Sequence, residues 1–451
     1  MLACGLALGA CATQTPLPTL PSETPAAWRG GVANEHAQPA PDLANWWHAF
    51  NDPVLDSLID SALKENLGVA IAGLRLQAAR RVEHRAHTEF WPNLNFRIYE
   101  ETAPGATTGY FEMGFDSAWE FGFFGRERAS TRIAMADLNL AIIDEAAARV
   151  SVCAEVAKDY VDLRAAQARL RVAEGLVELR GRRFDLMQVR VRTRQAAQVE
   201  ADHAQAELEQ AHSEASEALA GTRQAGAVLA VLLGRMQPDA AWLAPAEQPV
   251  LPELGIAQAP ADLVRTRPEI RRAEQNVLRA AGELGIARAD LWPKLGLVGS
   301  MISASALTGD IHANKAVPLI GPTVQLPLWD WGARRDVAAA RESALAASLL
   351  AYRQAVLEGL AEVESALAGF SDKSSRDRYA TTEIAIGERA AGAAGTLKRI
   401  GLGDGLDEAQ AQLGAGEARL QQISARRERA LAFIALYKAF GGAMPPLEEV
   451  P

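Results

Sequence analysis

ELGIARADLWPKLGL, residues Glu283–Leu297, hands a helix over to a strand. Pro293 cannot continue a helix, and Trp292 before it is pushed toward extended backbone. Beyond it, Leu295 and Leu297 fall on every second position, the period of a strand. The same hand-over occurs in HRAHTEFWPNLNF, residues 84–96, at Trp91-Pro92. FFGR at 123–126 matches WDWGARR at 329–335, and VLAVLLGR at 228–235 matches ALYKAFGG at 435–442. The separations run from about 201 to 207 residues, so the chain is a duplicated unit of helix, two strands, long helix, turn and helix.

Outward from the first hand-over, strands are expected at Asn93–Tyr99 and Tyr110–Phe123. In the second of these Phe111, Met113, Phe115, Trp119, Phe121 and Phe123 share one face, and Glu112, Asp116 and Glu120 the other. A half-buried soluble sheet alternates in the same way. It needs a covering layer, however, and the neighbouring sequence offers only long helices. A barrel in lipid has the required chemistry, apolar outward and acidic toward a watery lumen. The second unit supplies strands at Lys294–Ala304 and Val317–Leu328, with Ile320, Pro322, Val324, Leu326 and Leu328 on one face. The stretches TAPGATTG (102–109) and LTGDIHANKAV (307–317) read as loops. Four strands cannot close a barrel, and lipid does not tolerate open edges, so several copies must share one.

The helices follow from apolar spacing. Pro53–Phe90 is one, capped by Asp52, with Leu55, Leu58, Ile59, Ala62 and Leu63 on its buried side. From Arg128 to Val191 no proline intervenes, and Ile133, Ala136, Leu140, Ile143, Ala147, Val150, Ala154, Ala157 and Val161 recur every three or four residues. Such a helix runs about 90 Å at 1.5 Å per residue. It reverses near Arg192–Ala197 and returns to Leu233, where Gly234 stops it. The second unit repeats this with helices over Ala261–Leu291, Gly332–Leu397 and Leu406–Phe440, and a glycine-rich turn at Gly401–Gly405. The expected organisation is a first unit over 53–235, a proline-rich link over 236–260 at mid-height, a second unit over 261–442 and a tail over 443–451.

The 451 residues carry a net charge of −10 without a dense Lys/Arg stripe, which argues against a nucleic-acid partner. The longest interior apolar run, Ala225–Leu233, is too short for a transmembrane helix. At the N-terminus, Leu8-Gly9-Ala10-Cys11 fits a lipobox, in which a signal peptide over 1–11 ends at a cysteine that is acylated. Residues 12–52 then form an extended tether. Cys153 reads as a small buried apolar residue. No nucleophile constellation, phosphate loop or HExxH is present, so neither an enzyme nor a metal or other cofactor is expected.

Several further stretches carry a family likeness: WWHAFNDPVLDSLIDSALKENLGV at 46–69, WEFGFFGR at 119–126, LVRTRPEIRRAEQNVLRAAGELGIARADLWPKL at 263–295, LPLWDWG at 326–332 and LYKAFGG at 436–442. Together they make the chain, from Asn45 to Met444, resemble the TolC-like outer-membrane efflux proteins, and among them the lipoprotein factors of resistance–nodulation–division pumps. The resemblance implies a mainly α protein in a bacterial outer membrane, with a long periplasmic extension. It implies a homotrimer whose helices form an α-barrel and whose strands form a shared 12-stranded β-barrel. It also implies two partners, a periplasmic adaptor and an inner-membrane efflux transporter, and a passive exit duct for drugs or other small toxic solutes. A type I protein-secretion duct and a periplasmic coiled-coil scaffold lipoprotein are the alternatives.

The family closes its periplasmic end with an acidic ring near the second helical turn. Leu406-Asp407-Glu408-Ala409-Gln410 matches that place, with Glu408 where the family carries an aspartate and Asp404 four residues earlier. Gathered on an axis, Asp404, Asp407 and Glu408 are expected to repel, to bind cations and to raise one another's pKa. Arg190, Arg192 and Arg194 form a basic tip, either to dock the adaptor or to pair with the acidic turn. The first turn has Arg194 where the family usually has glycine, and the second is about two residues short of the family pattern.

Overall fold

The computed structural model describes residues 38–39, 42–101, 110–255, 266–306, 317–442 and 445–448. Cys11, the leader, most of the tether, both strand-connecting loops and the last residues of the tail lie outside them. The duplication is met in element lengths. Helix α1 (Pro53–Glu65) leads into α2 (Leu67–Thr88). Strands β1 (Asn93–Glu101) and β2 (Tyr110–Phe121) follow, then α3 (Arg126–Arg192) and α4 (Gln198–Leu232). The second unit is α5 (Pro268–Ala289), β3 (Lys294–Ala306), β4 (Val317–Gln325), α6 (Ala333–Arg399) and α7 (Gly405–Ala439). Helices α2 and α5 both have 22 residues, α3 and α6 both 67, and α4 and α7 both 35. At 1.5 Å per residue α3 and α6 are each about 100 Å long.

The helix expected over 53–90 is broken at Asn66. Its side chain caps α2 by accepting from Gly68 N–H (2.8 Å) and Val69 N–H (3.1 Å), and it donates to the Leu232 carbonyl (2.7 Å). Asparagine's local hydrogen bonding competes with the helix ladder, and here it wins because a distant carbonyl accepts its amide. Asp52 caps α1 as expected, accepting from Val54 and Leu55, and Pro53 takes the first turn.

The four strands form one antiparallel sheet in the order β1-β2-β3-β4. Paired residues share a face, so the register sorts the side chains. Phe96 opposes Phe115, Ile98 opposes Met113, Trp119 opposes Leu297, Phe121 opposes Leu295, and Leu295 opposes Val324. This face carries the large apolar side chains of all four strands, with Glu100, Ser117, Ser303 and Ser305 among them. The other pairs Asn95 with Asp116, Asp116 with Ser300 and Lys294 with Gln325. The side chain of Phe111 lies outside the described set. Strand β2 ends at Phe121, two residues short of expectation, because Phe123–Gly125 turns as a single 3-10 turn. Strand β4 ends at Gln325, so Leu326 and Leu328 are exposed beyond it. Pro318 and Pro322 lie in β4, an edge position that tolerates residues without an N–H.

Both units leave the sheet through the same backbone device. Phe124 and Gly125 have φ of +57° and +83°, and Trp331 and Gly332 have +58° and +88°. Glycine adopts this left-handed region freely, whereas an aromatic side chain there costs about 1–2 kcal/mol.

The core sits at mid-height. Trp46 packs on Phe433 and Tyr437, Phe50 on Phe433, and Phe370 on Phe433, around fully buried Leu55, Ile59, Tyr160 and Leu163. Tyr160 donates to Asp52 at 2.5 Å, tying the start of α1 to the middle of α3. The link crosses this level as a strap whose carbonyls are caught by buried side chains. Arg164 donates to Ala244 O (2.7 Å), Gln167 to Leu243 O (2.9 Å) and Arg429 to Pro252 O (2.8 Å). Within the link, Ala240–Leu243 is a short helix and Leu254–Gly255 pairs in parallel with Gln38–Pro39. Below the strap the helices touch mainly through alanines, as at Ala165 and Ala168 against Ile423, and Ala201 and Ala204 against Met187. Cys153 is buried in the core cluster.

Candidate functional site

Two regions bear on function, the polar face of the sheet and the far tip of the helices. On the sheet, Glu112, Asp116 and Glu120 share the polar face. The alternation predicts that placement; it does not reveal their counter-ions. Arg97 on β1 lies 3.3 Å from Asp116, and Arg126, at the head of α3, lies 3.2 Å from Glu120 and 2.5 Å from Asp290. Glu112 stands opposite Tyr99. The face is therefore acidic, with Asp116 and Glu120 each beside an arginine.

At the tip, the connections over 193–197 and 400–404 are equal in length and built alike. In each, a 6→1 hydrogen bond closes the long helix, from Gln195 N–H to Arg190 O (2.7 Å) and from Leu402 N–H to Leu397 O (2.9 Å). The turning residue is Arg194 in the first, with φ +55°, and Gly401 in the second, with φ +77°. Arg194 thus occupies the left-handed position where glycine is the unstrained choice.

The acidic residues of the second turn have assigned partners. Asp404 is the residue before α7, not a member of it, and its carboxylate accepts from Leu406 N–H (2.8 Å) and Asp407 N–H (2.9 Å). Arg190, at the end of α3, pairs with Asp404, and Lys398 pairs with Glu408. Asp407 accepts from the Asp404 N–H at 3.4 Å. Within the single chain the neighbours of Asp404 act in the other direction from carboxylates gathered on an axis. The Asp407 N–H first, then the Leu406 N–H and the Arg190 guanidinium, hold its carboxyl below the usual aspartate value. Arg192 and Arg194 are exposed and make no ion pair among the described residues. Sequence reasoning missed Lys398, whose spacing to Glu408 places both beside one turn. It also missed a groove of about 990 Å³ between the two helical hairpins, lined by Arg171, Leu176, Ile384, Gln412 and Arg426 among others.

A sheet with one face for lipid and one for water, carried on paired hairpins about 100 Å long, defines a membrane-seated conduit. The chain belongs to the outer membrane efflux protein family, which it matches over residues 58–235 and 259–442. It is similar to the pyoverdine export outer membrane protein OpmQ of Pseudomonas aeruginosa, at 28% identity over 97% of this chain and 95% of that one. It is also similar to the cation efflux system protein CusC of Escherichia coli O6:H1, at 25% identity over 88% of each. Among solved structures it superposes on the outer-membrane channel OprN with a TM-score of 0.81, at 26% identity, covering 96% of this chain and all of that one. The protein is an outer-membrane efflux channel with a long periplasmic helical extension.

Proposed function

We propose that this chain is the passive exit duct of a tripartite pump, receiving small toxic solutes from a periplasmic adaptor and an inner-membrane transporter. The observation that carries this reading is the four-strand register, mainly apolar on one face and charged over β1 and β2 on the other, with neither outer edge paired among the described residues. Edges of that kind in lipid demand closure by further copies. Two copies would give eight strands, whose interior side chains fill the lumen, whereas three give twelve and leave a channel. A homotrimer with a shared β-barrel and a helical tube below it satisfies both demands. Acylation at Cys11 would anchor each copy to the same membrane.

In this reading the tip is the gate. Arg190–Asp404 and Lys398–Glu408 hold the helix ends, with Asp407 beside them, while Arg192 and Arg194, without an ion pair among the described residues, present their charge to the adaptor. The lumen is lined by Glu112, Asp116 and Glu120. OpmQ and CusC are named for pyoverdine export and for cation efflux, and one duct architecture serves both. Selectivity therefore belongs to the pump, and the duct's cargo is defined by size.

The test is single-channel conductance in planar bilayers. The purified chain should show a small closed-state current that rises when Asp404 and Glu408 are changed to Ala. An unchanged current from intact oligomers would remove the gate assignment. Release of a Cys11→Ala variant from membranes without detergent would remove the duct itself.

A further inference from the structure

Two amides are buried where α3 and α5 pack together, Asn139 at 0% exposure and Gln275 at 3%. Asn139 donates to the Gln275 side-chain oxygen at 3.1 Å, and the rest of its amide goes to the C-terminal tail. Its Oδ1 accepts from the Glu448 N–H (3.0 Å), and its Nδ2 donates to the Glu448 carbonyl (2.9 Å). Both amide protons and the oxygen of Asn139 are thereby used. One turn before Gln275, Arg271 donates to the Pro445 carbonyl (2.8 Å). The tail is held at both ends of 445–448, and all three bonds are to its backbone.

Two helices can pack without these polar groups. The duplication puts α3 and α6 in correspondence 207 positions apart, and α2 and α5 in correspondence 201 apart. Asn139 and Gln275 then have Ala346 and Leu74 as counterparts, neither with a hydrogen-bonding side chain. The amides stand where the tail passes. A buried amide without partners is costly, so a seam that keeps two of them is built around what they bind. The tail has a counterpart as well. Residues 445–448 correspond to 238–241, the start of the link. The link is caught in the same manner, its carbonyls at Leu243 and Ala244 bonded by Gln167 and Arg164 of α3. Helix α3 is therefore strapped twice. At 1.5 Å per residue, Asn139 lies about 20 Å from the sheet end of α3 and about 38 Å from Arg164.

We propose that the α3–α5 seam is a receptor for an extended peptide segment, and that the chain's own tail is its ligand. An amide bonded to both the N–H and the carbonyl of one residue offers what a neighbouring strand offers, so the site reads extended backbone rather than a side chain. Docked, the tail latches the two units together near the sheet. It does so after every helix has been made, because 445–448 follows α7 in the chain. Released, it gives Asn139 and Gln275 to water and loosens this joint, with the waist and the tip unchanged. The latch lies within one chain and does not depend on how copies close the barrel.

The test is amide hydrogen exchange on the full chain in detergent. Glu448→Pro deletes the N–H that Asn139 accepts and alters no side chain of the seam. It should speed exchange at least tenfold in the stretches of α3 and α5 around Asn139 and Gln275, and leave the waist around Phe433 as it was. Pro446→Ala, at a tail residue whose backbone makes none of these bonds, should change exchange less than twofold. A chain ending at Met444 should show the same acceleration as Glu448→Pro. A synthetic peptide of residues 443–451 should reverse it, and the same peptide with Glu448→Pro should not. Unchanged exchange in Glu448→Pro, or a shortened chain that the peptide fails to protect, would overturn the receptor. Should the shortened chain fail to fold, Glu448→Pro in the full chain decides by itself.

Discussion

The waist and the tip of this molecule are built from the same four long helices and hold together in opposite ways. At the waist, aromatic side chains from the N-terminal segment, α6 and α7 interlock around Phe433, and a strap crosses them with its carbonyls hydrogen-bonded to buried arginine and glutamine. At the tip, small residues let the helices approach, and partly exposed ion pairs join one hairpin to the next, Arg190 to Asp404, and the two arms of the second hairpin, Lys398 to Glu408. Burial of large side chains is worth several kcal/mol each, whereas an exposed ion pair is worth about 0–1 kcal/mol. The lesson is that the waist can serve as a fixed collar while the tip moves, without any hinge residue being needed.

The comparison is broken most severely at Phe433. Its replacement by Ala empties the centre of the collar and should cost about 3–5 kcal/mol, read as a large loss of heat resistance of the purified protein with no gain in current from surviving channels. Next is Arg194→Gly, which removes a left-handed arginine from the first tip turn and should stabilise the folded chain by about 1 kcal/mol. Chemical denaturation with an unchanged midpoint would show that the strain is not stored there.

Smaller still in stability is Arg190→Ala. The pair it breaks is partly exposed, so unfolding should shift by less than about 1 kcal/mol, yet closed-state conductance should rise because two helix ends are untied. The smallest effect is that of pH on the wild type. Asp404 titrates below its ordinary value in the folded protein, so its contribution is present above that ordinary value and is lost as pH falls through the lowered one. Closed-state current should therefore stay level from neutral pH down to the usual carboxylate range and rise only below it. A rise already at pH 6 would point to another group.

Much of this was legible in the chain. The Trp-Pro hand-overs, the alternation in β2 and the alanine-rich helices need only local rules, and each is local in the structure. What was hidden depends on partners far away in sequence. The break at Asn66 needs the Leu232 carbonyl, 166 residues on, and the tip lock needs Arg190 and Asp404, 214 apart. Asp407 and Glu408 could be named from their stretch, but not their hydrogen bonds. The positive φ of Arg194 was foreshadowed by arginine standing where a glycine is expected, a mismatch that sequence can flag and only backbone geometry can interpret.

The equal lengths of α3 and α6 carry a consequence for how such a duct could change its reach. Each chain contains two rulers, both spanning from membrane to tip. Shortening one by a heptad would tilt the rim and pull its turn out of the plane shared with the other. Lengthening or trimming the conduit thus requires matched edits in both halves of the gene, and a single unpaired deletion should be among the least tolerated changes in the periplasmic part.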